Sequence, residues 1–130
     1  IGEPSPLQIA MHAACADAMA ACVDGVRPGQ NLGTVFDAHA RILDEAGFRD
    51  HRMNACGYSL GATFTPTWMD YPMFYHGNSE EIQSGMVLFL HMILMNSKDA
   101  TAMTLGQTVR VVDSGAVPLS RHSLDLIVRV

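Results

Sequence analysis

Two kinds of hydrophobic spacing succeed one another along the chain. From Leu7 to about Val26, the residues Ile9, Ala13, Ala16, Ala20 and Val23 recur at helical spacing, which predicts an alanine-rich helix packed closely on a neighbour. Pro28 and Gly29 break the pattern, and Asn31 is placed to cap a second helix. In that helix Leu32, Val35, Phe36, His39, Ile42, Leu43 and Ala46 form the apolar stripe, and Gly47 stands where a left-handed C-terminal cap belongs. After Phe48 the pattern changes. A poorly regular, β-prone segment over 49–68 leads into a long connection, MDYPMFYHGNSEEIQSG, within which GNSEE reads as a solvated turn. Met86 to Leu94 is a continuous apolar run, which suits a central strand covered on both faces. Thr101–Leu105 and Thr108–Val112 read as two strands, or as one bulged strand with Gly106 at the irregular point. A turn at Asp113-Ser114-Gly115, a short strand over Val117–Leu119 and a terminal strand from Leu126 complete the pattern. Two helices followed by a string of strands predict an α+β layer, with the helices packed on one face of a curved, mostly antiparallel sheet.

Composition adds a constraint from outside the chain. One domain fills the 130 residues, and an apolar share of 48% against 16% charge is rich for a free-standing domain of this size. Part of the apolar surface is therefore expected to be covered by something else. The formal charge of -5, from 13 acidic and 8 basic side chains without long runs, gives no support to nucleic-acid or anionic-membrane partners. The longest apolar run, Met86 to Met95, contains His91 and falls short of the roughly 20 residues that span a bilayer, so no membrane insertion is expected. The opening IGEPSPLQ lacks a basic start and an apolar signal core and reads as the middle of a longer chain. Cys15, Cys22 and Cys56 are odd in number and not in CxxC spacing, which points to reduced thiols in a cytoplasmic protein, acting as small buried apolar residues rather than as zinc ligands.

The stretch GYSLG places Tyr58 between two glycines, and an aromatic, proline-containing run follows it. Together with GVRPGQNLGTVFDAHARILDEAGF, SGMVLFLHMIL and TLGQTVRVVDSGAVPLS, it resembles, in order and spacing, the second half of the pita-bread fold of the creatinase, aminopeptidase P, prolidase and methionine aminopeptidase superfamily. The resemblance implies a hydrolase of carbon–nitrogen bonds in a small molecule or peptide. Peptidases of that superfamily hold two metal ions on two Asp, one His and two Glu, because carboxylates and an imidazole can bridge divalent ions and deprotonate the water between them. Carried over residue by residue, the His position is Tyr58, the first Glu position is His91 and the second is Gly106. Both Asp positions would lie upstream of Ile1. A phenol with a pKa of about 10 is a poor ligand for such ions, and glycine has no side chain to offer. No metal and no other cofactor is therefore expected, and the metal-independent, creatinase-like branch is favoured over a metal-dependent X-prolyl peptidase.

In that reading His91 is a general acid or base, Tyr58 a hydrogen-bond donor to a developing oxyanion, and Asp70 or His76 a partner from the loop, with Trp68, Tyr71 and His76 facing the substrate. The alternative for His91 is a hydrogen-bonded core residue, and for Tyr58 an aromatic packed where a metal once sat. Trp68, Tyr71, Phe74 and Tyr75 suit either the lining of a small-molecule pocket or a subunit contact. His12, His39, His51 and His122 are read as structural or surface residues. An isolated second half leaves an apolar sheet face uncovered, so the chain is expected to be a fragment whose face is covered by a missing first half, or to form a homodimer through it. A non-catalytic pseudoenzyme that binds a ligand or stabilises an oligomer is the reading of a different class.

Overall fold

The computed structural model describes residues 2–61, 63, 64 and 66–130. The first helix, α1 (Pro6–Gly25), starts on a reciprocal cap that the apolar spacing does not show: Ser5 Oγ accepts from the Gln8 N–H, and Gln8 Oε1 accepts from the Ser5 N–H, with Pro6 following at the first helical position. The second, α2 (Leu32–Glu45), is capped at Asn31, yet the Asn31 side chain makes no capping bond. Its first N–H groups are taken instead by backbone carbonyls of the later segment 74–86, Leu32 donating to Glu80 and Gly33 to Asn78. A Cβ at Gly33 would lie 2.7 Å from the Asn78 carbonyl oxygen, so this close approach requires glycine. The GNSEE segment is therefore not a merely solvated turn: Asn78 is buried, donates to the Met73 carbonyl and accepts from the Glu80 N–H. At its other end α2 closes as expected, with Gly47 at φ 84° and the Phe48 N–H reaching the Leu43 carbonyl.

Five strands follow: β1 (Gly57–Ser59), β2 (Asp70–Met73), β3 (Val87–Asn96), β4 (Thr101–Val112) and β5 (Gly115–Pro118), in the order β2-β1-β3-β4-β5 with every pairing antiparallel. Three expectations need correction. The connection over 69–85 contains the edge strand β2, which carries Pro72 where an edge tolerates the lost N–H. Strand β4 is a single strand whose pairing with β3 runs without a bulge from Val87↔Arg110 to Asn96↔Thr101, and Gly106 sits in register opposite His91. The segment from Leu126 forms no strand; Arg129 makes only an isolated bridge to Gly2.

Strand β3 is central, but it is covered on one face only. Leu88, Leu90, Met92 and Leu94 are fully buried beneath the helices, whereas Phe89, His91 and Ile93 are half-buried and Met95 is exposed on the opposite face. The uninterrupted apolar run thus hides a period-two division between a core and an open face. The core joins those even-numbered residues to Met11, Cys15, Met19 and Cys22 of α1 and Leu32, Val35, Phe36 and Leu43 of α2. Helix α1 has, by length and a mean hydropathy of 1.2, the dimensions of a membrane span, contrary to the sequence expectation, but its buried stripe is committed to this core. All three cysteines are free and buried. Burial pushes the Cys15 thiol up to about 11, and a hydrogen bond with Cys22, reinforced by burial, raises Cys56 as well, so these act as small apolar residues.

Two features of α2 escape the hydrophobic pattern. Arg52 pairs with Asp44 through Nε and a terminal nitrogen at 2.6 and 3.2 Å, and its guanidinium lies 5.7 Å from the Phe36 ring centre. Beside this pair His39 is 0% exposed with neither ring nitrogen hydrogen-bonded. Burial, aided by the Arg52 charge and opposed by Asp44, lowers its pKa from 6.5 to about 4. The unfolded chain binds this proton near pH 6.5 and the folded chain only near pH 4. Its neutral form therefore adds stability that is whole above pH 6.5 and is lost as the pH falls towards 4, by about 3 kcal/mol. We expect urea unfolding to show this decline in the natural chain and a flatter profile in His39→Leu. Equal slopes in the two proteins would contradict the assignment.

Candidate functional site

The open face of the sheet gathers the residues that the sequence singled out. In the β1–β3 ladder Tyr58 pairs with Phe89, and in the β3–β4 ladder His91 pairs with Gly106, so all four occupy one side of adjacent strands. The Phe89 ring stands among them, with its centre 5.3 Å from the Tyr58 ring and 5.1 Å from the His91 ring. It also covers Gly106: a Cβ there would meet Phe89 Cζ at 2.6 Å. Gly106 is thus explained by the aromatic ring above it and not by a bulge.

Tyr58 is 8% exposed, and its hydroxyl oxygen accepts the Trp68 indole N–H at 3.0 Å. The His91 Nε2 shares a 2.8 Å hydrogen bond with the Thr104 hydroxyl, a neighbour that sequence reasoning missed because it lies thirteen residues away across a hairpin. Partial burial lowers the His91 pKa, which favours the neutral ring. Both side chains line a cavity of about 370 Å³ walled by Met53, Met69, Met73 and Ile93, with Asn54, Ala55 and Gly57 completing the lining. A second cavity of about 390 Å³ lies on the helix side, between α1 and the β5 region, and contains none of the candidate residues.

The other candidates lie apart from this cavity's described lining. Asp70 opens β2, and its Oδ2 accepts the Thr63 N–H at 3.2 Å, so it braces the loop that follows β1. Trp68 is 60% exposed and reaches the site through its bond to Tyr58. Tyr71 is 71% exposed on the edge strand. His76 is exposed and pairs with Asp37 of α2 at 2.8 Å, which turns it towards the helix layer. Phe74 is fully buried in the core and is neither pocket lining nor contact surface. Of the remaining histidines, His12 bonds to the Leu124 carbonyl and His51 to the Met95 carbonyl.

Residues 1–116 match the family described as metallopeptidase family M24. The chain belongs to that family. Its two helices and five-stranded open sheet have the arrangement of the second half of the pita-bread fold. Dipeptidase PepE from Mycobacterium ulcerans superposes with a TM-score of 0.88 at 24% identity, covering 98% of this chain and 33% of that one. Prolidase from Pyrococcus horikoshii OT3 superposes with a TM-score of 0.88 at 17% identity, over 98% and 35%. The N-terminal domain of the FACT complex subunit SPT16 from chickpea gives 0.78 at 14% identity, over 92% and 30%. The chain thus spans about a third of the length of these structures. No curated protein sequence matches it.

The pair of metal ions implied by the family does not fit the residues present. Among the described residues no three His, Cys, Asp or Glu side chains stand close enough together to hold an ion. The space over Gly106 is filled by an aromatic ring, and the wall beside His91 is thioether and hydrocarbon rather than carboxylate. We therefore expect Mn(II), Co(II) or Zn(II) at millimolar concentration to leave the midpoint of thermal unfolding unchanged. A rise of several degrees with any of them would show a site that these residues do not predict. Overpacking gives a second check. Gly106→Ala should cost about 1–2 kcal/mol, and that cost should shrink in a Phe89→Leu background, as measured by a double-mutant cycle in urea.

Proposed function

We propose that this chain is part of a metal-independent hydrolase acting on a carbon–nitrogen bond of a small molecule or peptide, with chemistry centred on His91 and Tyr58. The observation that carries the reading is that a half-buried imidazole and a buried phenol line one apolar cavity, on the face where relatives of the family would carry ligands. In the proposed reaction the neutral His91 ring takes a proton from an attacking water as its oxygen bonds to the carbonyl carbon. The Tyr58 hydroxyl donates to the resulting oxyanion, and His91 returns the proton to the nitrogen as the carbon–nitrogen bond breaks. Trp68 contributes by holding Tyr58, and Asp70 by bracing the loop, while Tyr71 and His76 stand too far out on the surface to be central to this chemistry.

Because the chain spans only a third of its structural neighbours, the complete site is proposed to need further chain or a second copy over the open face. The exposed Met53, Trp68, Met69 and Tyr71 on and around that face support such a cover. The three free thiols are consistent with a cytoplasmic setting. A non-catalytic reading is favoured by one observation, the Phe89 ring filling the space over Gly106.

Replacing His91 with Ala in the full-length protein separates the two. The hydrolase reading predicts a loss of about 10²- to 10⁴-fold in kcat for amine release from amide substrates, with an unchanged unfolding midpoint. Lost stability with undiminished turnover would make His91 structural.

A further inference from the structure

The Trp68–Tyr58 bond gives the open-face cavity a chemical direction. An indole N–H can only donate, so at 3.0 Å the phenol oxygen is the acceptor and the proton of Tyr58 remains available. The hydrogen bond in which Tyr58 takes part among the described residues is this one, in which it accepts. Tyr58 is more than nine-tenths buried, and a buried donor left unmatched is costly, so a ligand acceptor in the cavity is its natural partner. The walls settle the charge of that ligand. Met53, Met69, Met73 and Ile93 are apolar, and no Lys, Arg, Asp or Glu is among the described lining residues. A carboxylate entering here would shed water without meeting a Lys or Arg, and an ammonium would do so without meeting a carboxylate, the polar side chains of the lining being those of Asn54, Tyr58 and His91.

We propose that this cavity binds a small uncharged molecule with an apolar body, whose carbonyl-type oxygen accepts the Tyr58 proton, and that Trp68 is the positioning residue that aims it. The inference rests on the hydrolase reading only for the choice of cavity, and adds to it the class of ligand. Flexible thioether walls suit a body of variable shape, while Tyr58, with His91 and Asn54 beside it in the lining, orients its polar end.

The test compares three probes with the same six-carbon body and different heads, hexanamide, hexanoate and hexylammonium, titrated into the full chain carrying ¹³C-labelled methionine methyls. Hexanamide should shift the methyl signals of Met53, Met69 and Met73, and the two charged probes should bind at least about tenfold more weakly. Tyr58→Phe should weaken hexanamide by about five- to tenfold. Trp68→Phe should keep the body bound while narrowing the preference between heads. Equal affinity for the three heads, or a Tyr58→Phe protein of native spectrum with unaltered preference, would overturn the proposal. Head preference in a full-length protein that releases no amine from amides supports this binding site and removes the hydrolase reading. Turnover without head preference does the reverse.

Discussion

The structure depends on the period-two division of β3. Successive side chains of a strand point to opposite faces, so the run from Val87 to Asn96 places Leu88, Leu90, Met92 and Leu94 under the helices and Phe89, His91 and Ile93 on the open side. A shift of one residue in the pairing would send the core residues into the cavity and the cavity residues under α1. The unbroken ladder with β4 and the pairing with β1 prevent that slip, and they also bring Tyr58, His91 and Gly106 side by side. Folding energy and site geometry thus come from the same register.

Given that register, Phe89 decides what the open face can do. Its ring requires the absence of a side chain at 106, stands beside both Tyr58 and His91 and fills the space over Gly106 with hydrocarbon. The residues around it agree with that environment: partial burial lowers the His91 pKa and favours its neutral ring, and Met53, Met69, Met73 and Ile93 wall the cavity. A largely apolar cavity with no Lys, Arg, Asp or Glu in its described lining favours uncharged ligands, and it makes bridged divalent ions a poor fit for these residues.

Much of this was legible in the sequence, and the failures have physical causes. Helix α2, the Gly47 cap and the order of elements follow from spacing and turn chemistry that act locally. The positions of Tyr58, His91 and Gly106 followed from a family resemblance, which the match over residues 1–116 bears out at the level of family. What the sequence could not show is non-local. Alternation is invisible in β3 because both faces are apolar, so one covered face was read as two. Gly106 reads in the sequence as the irregular point of two strands or one bulged strand, because the ring that demands it comes from another strand. Asn78 was read as solvated because its partners, Met73 and the start of α2, are brought to it only by folding. His76 was grouped with the site by its place in the sequence, and its bond to Asp37 holds it elsewhere.

The most direct test of this account asks whether the Phe89 ring covers Gly106 in solution. Proton NMR of the chain should show contacts between the Phe89 ring protons and the Gly106 Hα protons, with at least one Gly106 Hα shifted by the ring current and restored in Phe89→Leu. Gly106 signals at ordinary strand positions, without ring contacts and unaffected by Phe89→Leu, would contradict it and reopen the space in which metal ligands could stand.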